Sequence, residues 1–143
     1  MTTPSAEINA LEDLTEGRSL AFDFVVNAAD MADFSRISGD YNPLHTDAEF
    51  ARGRGFSGPV VYGALLVANV SRLIGMHFPG QQALWSGLRM TFRNPLMVDE
   101  PARLEAVISH QSVATSSIKI KITIRAGDKL IASGSAESMV LTA

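Results

Sequence analysis

The residues best suited to chemistry lie in one short stretch, which runs Gly-Asp-Tyr-Asn-Pro-Leu-His from Gly39 to His45. It places the carboxylate of Asp40 and the imidazole of His45 five positions apart. On a straight helix these two side chains would point about 140° apart, because each residue turns roughly 100°. Pro43 disfavours a helix here, so we expect a shaped loop that aims both groups at one point. A carboxylate and an imidazole aimed together are typical of proton transfer.

Length and composition predict a single domain over residues 1–143 and exclude several classes of function. Hydrophobic residues make up 46% and charged residues 19%, as in ordinary soluble globular proteins. The net charge of -3 gives no electrostatic case for nucleic acid, and the absence of cysteine excludes disulfides and thiol catalysis. Residues 1–5 lack a secretory pattern, and the longest apolar stretch, residues 59–70, is shorter than a membrane span. We therefore expect a cytoplasmic protein.

The elements that must position the Asp40–His45 loop begin before it in the chain. Residues 1–16 are polar and predict a loosely ordered lead-in, and residues 18–28 alternate as a half-buried strand does. Asp30 is expected to cap a short helix over residues 31–38, which Gly39 ends. The loop thus follows directly from the end of a helix.

The segment after the loop predicts a long helix and then strands. The helix is expected from Pro59 to about Ile74, stopped by Gly75, and it is apolar on nearly every side, as a helix enclosed by other structure is. Alternating residues predict strands at 84–93, 103–111, 118–125 and 129–141. Because the links between them are short, the strands should pair antiparallel. The simplest arrangement is α+β, a curved antiparallel sheet wrapped around one long buried helix.

Two stretches of the chain, Ser38–His45 and Gly58–Leu66, resemble the MaoC-like, (R)-specific enoyl-CoA hydratase family. The resemblance extends over nearly the whole chain, from Leu14 to Val140, and its specific part is the aspartate, asparagine-proline and histidine pattern. It implies the hot-dog fold, in which an antiparallel sheet wraps a long helix. It also implies addition of water across the double bond of a trans-2-enoyl thioester, to give an (R)-3-hydroxyacyl thioester.

The resemblance assigns roles to particular residues. Asp40 and His45 match the family's catalytic pair and would hold one water between them, with the division of proton transfers left open. Gly63 matches the oxyanion-hole position, where a free backbone N–H near the start of a helix favours an anion. Asn42 is expected to brace the loop, because an amide does not titrate. Ser71 matches a serine further along the same helix, either in packing or in a hydrogen bond to the site.

One position beside the predicted oxyanion hole departs from the family. The residue before the glycine is usually histidine, whereas this chain has Tyr62, which is larger and does not charge near neutral pH. The departure leaves the Asp40–His45 pair intact and bears on substrate preference and rate.

The partners implied by the resemblance are an acyl thioester, of CoA or of acyl-carrier protein, and a second copy of the chain. No cofactor is implied, since CoA is part of the substrate, and a metal site would need three or four ligands. A homodimer is expected because a short curved sheet has edges to protect, with the site in a tunnel near the interface. Three rival readings remain: a hot-dog thioesterase, a non-catalytic acyl-thioester-binding subunit, and a MaoC-like dehydratase of branched or hydroxylated acyl thioesters.

Overall fold

One antiparallel sheet, four α-helices and a short 3-10 helix (Leu11–Asp13) make up the structure, a computed structural model that describes residues 2–142. The helices are α1 (Ala28–Ser38), α2 (Pro43–Thr46), α3 (Ala48–Gly53) and α4 (Gly63–Met76). The strands are β1 (Ser19–Phe24), β2 (Ala83–Phe92), β3 (Ala102–Ser112), β4 (Ser117–Ala126) and β5 (Lys129–Val140). The strand order is β1-β3-β4-β5-β2, so β1 and β2 form the two edges. The predicted antiparallel sheet with one long helix is confirmed, and no helix within residues 2–142 has the length and apolarity to cross a membrane.

The core lies between the sheet and α4. Every second residue of β4 is buried, namely Ile118, Ile120, Ile122 and Ile124. The buried face of α4 packs into the same cluster with Leu66, Val70, Leu73 and Ile74. Burying one such aliphatic side chain stabilises the fold by about 1.5–3 kcal/mol, so this cluster fixes α4 firmly against the sheet.

The prediction that the long helix is enclosed on all sides is wrong for a single chain. The residues of α4 that stay exposed fall on one face, and they are Ala64, Ala68, Ser71, Arg72 and Gly75. Most of these residues are small. The number of apolar residues in the helix therefore did not reveal that one of its faces is exposed.

The start of α4 also differs from the prediction. Residues 59–62 are extended, because Val60 forms a β-bridge with Met97 and the Val61 N–H donates to the Leu96 carbonyl at 2.9 Å. The helix therefore begins at Gly63, with Tyr62 as its N-cap, and it continues through Gly75 to Met76. Long-range strand pairing, which leaves no local signal, overrides the preference of Pro59 for a first turn.

Helix α1 begins three residues earlier than predicted. Asn27 is its N-cap and accepts a hydrogen bond from the Asp30 N–H, while the Asp30 side chain accepts one from the Asn27 N–H. This reciprocal pair is a capping box, so Asp30 lies inside the first turn instead of capping it. Gly39 ends the helix with φ 77°, as expected of a left-handed C-terminal residue.

The expectation of a loosely ordered lead-in over residues 1–16 is wrong from Glu7 onward. The Glu7 N–H donates to the Met76 carbonyl, and Ile8 forms a bridge with Gly80. Asn9 is buried and donates to the His77 carbonyl at 2.9 Å, and Leu14 is fully buried. Polar composition hid this packing, because the buried asparagine side chain satisfies backbone carbonyls at the end of α4.

The contact between Glu7 and His77 predicts a pH-dependent stability. His77 Nδ1 donates to Glu7 Oε1 at 2.9 Å, and this hydrogen bond lowers the pKa of Glu7 from its ordinary value of 4.5. A lowered pKa in the folded state stabilises the protein above the unfolded value, and this contribution disappears as the pH falls through the folded one.

We expect Glu7→Gln to reduce the free energy of unfolding by no more than about 1 kcal/mol near neutral pH, because the pair is partly exposed and screened. The difference from wild type should vanish as the pH falls below 4.5, the ordinary pKa of Glu7. Urea unfolding across this pH range measures it, with Glu12→Gln as the control at another glutamate of the same segment. A difference that is constant with pH would contradict the assignment.

Candidate functional site

The loop between α1 and α2 holds Asp40 through a short series of local hydrogen bonds. The Asp40 N–H donates to Ser38 Oγ at 3.1 Å, and Asp40 Oδ1 accepts from the Asn42 N–H at 3.0 Å. Asn42 is the N-cap of α2, and its Oδ1 accepts from the Leu44 N–H at 2.9 Å. Asn42 thus braces the loop, while the Asp40 side chain stays exposed with an oxygen available to a ligand.

The expectation of a wholly non-helical loop is wrong at its second half, since His45 lies in the single turn of α2. Pro43 begins that turn, where its missing N–H costs nothing and its fixed φ suits a helix.

The imidazole of His45 is oriented by the extended segment that precedes α4. His45 Nδ1 lies 2.6 Å from the Val60 carbonyl, and the Val60 N–H donates to the Leu44 carbonyl at 3.1 Å. A carbonyl oxygen only accepts, so Nδ1 carries the proton in this contact. In the neutral ring Nε2 is then the nitrogen with a free lone pair, able to accept a proton from a bound molecule.

Tyr62 contacts both ends of the loop. Its hydroxyl donates to the Asp40 carbonyl at 2.6 Å and lies 2.7 Å from Ser35 Oγ on α1. Its ring stacks on the His45 imidazole, with centroids 4.1 Å apart and planes 29° apart. Tyr62 is only 2% exposed, so the loop rests on a buried side chain. The sequence singled out Tyr62 but gave no sign of Ser35, an ordinary helix residue.

The carboxylate of Asp40 and the imidazole of His45 share no direct hydrogen bond among the contacts of residues 2–142. The carboxylate is exposed and the imidazole is half-buried. A small molecule such as water, held between the two, would complete the proton-transfer arrangement.

Gly63 is the first residue of α4, where helix N–H groups have no partner inside the helix. A Cβ built at Gly63 would lie 2.9 Å from Cζ of Phe92, so the phenyl ring closes over the glycine. Phe92, at the end of edge strand β2, was predicted only as a strand residue. Its contact with Gly63 joins residues that are distant in the chain, and no pattern in the sequence indicates it.

Two separate cavities adjoin these groups in the single chain. One, of about 390 Å³, has a mainly apolar lining formed by Ala28, Met31, Ala32, Ser35, His45, Thr46, Pro59 and Val98. The other, of about 330 Å³, is bordered by Gly63 and Phe92. Asp40 lines neither of them, so neither of these two cavities brings the predicted trio together.

Ser71 lies on the exposed face of α4, two turns beyond Gly63. Within residues 2–142, no group of three histidine, aspartate or glutamate side chains is placed to hold a metal ion. The residues that the sequence singled out thus offer a carboxylate, an imidazole and the N–H of the first residue of a helix.

Comparison with known proteins places the chain in a family. The family model described as MaoC like domain matches residues 13–129. The chain is 35% identical over 82 residues to the (R)-specific enoyl-CoA hydratase of Aeromonas caviae, an alignment spanning 57% of this chain and 61% of that relative. It is 23% identical over 133 residues to the 3-hydroxybutyryl-CoA dehydratase of Methylorubrum extorquens, spanning 93% of this chain and 85% of the relative.

A solved structure extends the likeness to the whole fold. The (R)-hydratase of Aeromonas caviae superposes with a TM-score of 0.86 at 28% identity, covering 90% of this chain and 98% of that one. The predicted hot-dog fold is thereby confirmed.

Proposed function

The chain belongs to the MaoC-like domain family, and from that premise we propose that it is an (R)-specific enoyl-CoA hydratase, a hydro-lyase that also runs as a 3-hydroxyacyl-thioester dehydratase. The observation that carries the proposal is that Tyr62, the residue directly before α4, contacts both Asp40 and His45. Its hydroxyl donates to the Asp40 carbonyl and its ring stacks on the His45 imidazole. The names of similar proteins support the same reaction class.

In the proposed reaction, Asp40 and His45 hold the attacking water. A water oxygen forms a bond to the β-carbon while one of its protons passes to Asp40 or to His45 Nε2. His45 is suited to this because its Nδ1 proton is committed to the Val60 carbonyl. The exposed Asp40 carboxylate is acceptor-only when ionised, so it orients the water and favours loss of its proton.

The electrons of the double bond shift toward the thioester carbonyl. The thioester becomes an enolate, with the negative charge on its oxygen. The Gly63 N–H at the start of α4 would donate to that oxygen, and the helix dipole adds to the stabilisation. Return of the electrons to the α-carbon, with uptake of a proton there, completes the addition of water. In the reverse direction the same groups remove water from the 3-hydroxyacyl thioester.

A homodimer is part of this proposal. Edge strand β2 carries three large exposed apolar side chains, Leu84, Leu88 and Phe92, and an exposed apolar edge is a liability in a monomer. A second copy that packs along β2 would also lie close to Phe92, whose ring covers Gly63. It would supply one side of the binding site that the single chain leaves open. Light scattering measures the mass of the assembly directly.

The cytoplasmic location expected from the sequence stays a prediction, which cell fractionation would check.

The direct test is loss of the enoyl absorbance of crotonyl-CoA when wild-type protein is added. We expect water addition, with (R)-3-hydroxybutyryl-CoA as the product on chiral chromatography. A panel of longer enoyl-CoA substrates and an enoyl acyl-carrier protein then compares carrier and chain length.

Two outcomes would contradict the proposal. Release of free thiol without hydration would favour the thioesterase reading. Binding of acyl-CoA with no turnover of any enoyl thioester would favour a non-catalytic subunit. Turnover confined to branched or hydroxylated substrates would instead narrow the same reaction to the dehydratase reading.

A further inference from the structure

We propose that Tyr62 is a positioning residue that fixes Asp40 and His45 relative to each other, a role that rests on the proposed hydratase function. Among the described residues, Tyr62 is the side chain that contacts both, through the Asp40 carbonyl and through the face of the His45 ring. Its effect on catalysis is therefore indirect: it touches the groups that hold the water.

The hydrogen bond from Tyr62 to Asp40 has a fixed direction. The Asp40 carbonyl only accepts, so the single hydroxyl proton of Tyr62 is committed to it at 2.6 Å. Ser35 Oγ lies 2.7 Å from the Tyr62 oxygen and 3.1 Å from the Met31 carbonyl, and its one proton serves these two acceptors. Tyr62 thus links Asp40 to Ser35 through its hydroxyl. It ties the end of the loop to α1, the helix that precedes it.

Burial makes this link rigid. Tyr62 is 2% exposed and Ser35 is 3% exposed, so water does not replace either partner freely. Tyr62 is also the N-cap of α4, and its neighbour Val61 is bonded to Leu96. The ring under His45 thus belongs to the core, and the loop takes its position from it.

The length of the tyrosine side chain is what brings its hydroxyl to both Ser35 and Asp40. A histidine at the same position would be shorter, and its ring nitrogens would not extend to the place that the Tyr62 oxygen occupies between Ser35 and Asp40. A histidine here would therefore give up the hydrogen bond to the Asp40 carbonyl and the contact with Ser35, which would keep its bond to the Met31 carbonyl. This predicts that Tyr62→His does not act as a conservative change here.

The test is Tyr62→Phe, which keeps the ring over His45 and removes only the hydroxyl. We expect kcat for crotonyl-CoA to fall about 10–100-fold with KM within about twofold, because small misplacement of catalytic groups slows the chemical step more than binding. Ser35→Ala should reduce kcat much less, since it leaves the bond from Tyr62 to Asp40 in place. Tyr41→Phe is the matched control: Tyr41 adjoins Asp40 but is 64% exposed, so kcat should not change.

A second readout does not depend on activity. Amide hydrogen exchange at Asn42, Leu44 and Val60 reports opening of the loop, since all three N–H groups donate within it or to it. In Tyr62→Phe we expect these amides to exchange at least tenfold faster, with the core amides of Ile120 and Ile122 unchanged. That contrast also shows whether the variant is folded.

The outcomes separate the two proposals. Loop amides that exchange at the wild-type rate in Tyr62→Phe, or kcat within twofold of wild type, would overturn the positioning role. Equal losses of kcat in Tyr41→Phe would overturn it too, by showing that any hydroxyl near Asp40 matters. A wild-type protein that hydrates no enoyl thioester would overturn the proposed function, whatever the exchange of the loop shows.

Discussion

Replacing Asp40 with asparagine is expected to lower kcat for enoyl-thioester hydration by about 10²–10⁴-fold, the usual contribution of a general acid–base group. The asparagine oxygen can still accept the Asn42 N–H, so the loop should keep its shape. What is lost is the negative charge that orients water and takes its proton. Steady-state assays with crotonyl-CoA as substrate measure the change in kcat.

Asp47→Asn is the matched control for this change. Asp47 also accepts a backbone N–H, that of Phe50 at 3.1 Å, as the N-cap of α3. Asparagine caps helices about as well as aspartate, so both stability and kcat should stay near wild type. Wild-type activity in Asp40→Asn would contradict the assigned pair.

The role of His45, the partner of Asp40, can be tested with two substitutions that each retain a polar group near one of the two ring nitrogens. His45→Asn places an amide near the Nδ1 position, where it can still donate to the Val60 carbonyl, and removes Nε2. His45→Gln places an amide near Nε2 and gives up the Val60 contact. Neither amide titrates, so we expect both variants to fall about 10²–10⁴-fold in kcat. If His45→Asn alone kept full activity, Nε2 would not be the reacting nitrogen.

Removing the backbone donor of Gly63 is expected to lower kcat by about 10²–10³-fold, the effect of deleting one oxyanion-hole hydrogen bond. Gly63→Pro achieves this without breaking α4, because proline is favoured at the first residue of a helix. The preceding residue is already compatible, since Tyr62 has φ -57° and ψ 129°. The same assay with crotonyl-CoA reads the loss.

Gly63→Ala is the control for the added Cβ. Both substitutions add a Cβ, which would meet the Phe92 ring at 2.9 Å, but alanine keeps the donor. Phe92 is 53% exposed and can turn aside, so both variants should fold. The ratio of kcat between Gly63→Ala and Gly63→Pro then measures the replacement of the N–H by the proline ring carbons. Equal rates in the two variants would show that Gly63 matters for space and not as a donor.

Particular residues show which features of the fold could be predicted from the sequence and which could not. The isoleucine alternation of β4 and the helix end at Gly39 were predicted correctly, because each depends on neighbours within a few positions. The catalytic role of the Asp40–His45 pair stays a prediction. The boundaries of α1 and α4 were wrong where another contact competed: the cap from Asn27 in one case, and the pairing of Val60 and Val61 with residues 96–97 in the other.

By itself, then, the sequence determined which groups are available for chemistry and which elements flank them. Only the tertiary structure decided how those groups are held. The Tyr62 hydroxyl meets the Asp40 carbonyl 22 residues away in the chain, the Val60 carbonyl selects the nitrogen of His45 that stays free, and Phe92 closes over Gly63. Each of these contacts joins segments that meet because α4 packs against the sheet, and packing between distant segments leaves no periodic mark in a sequence.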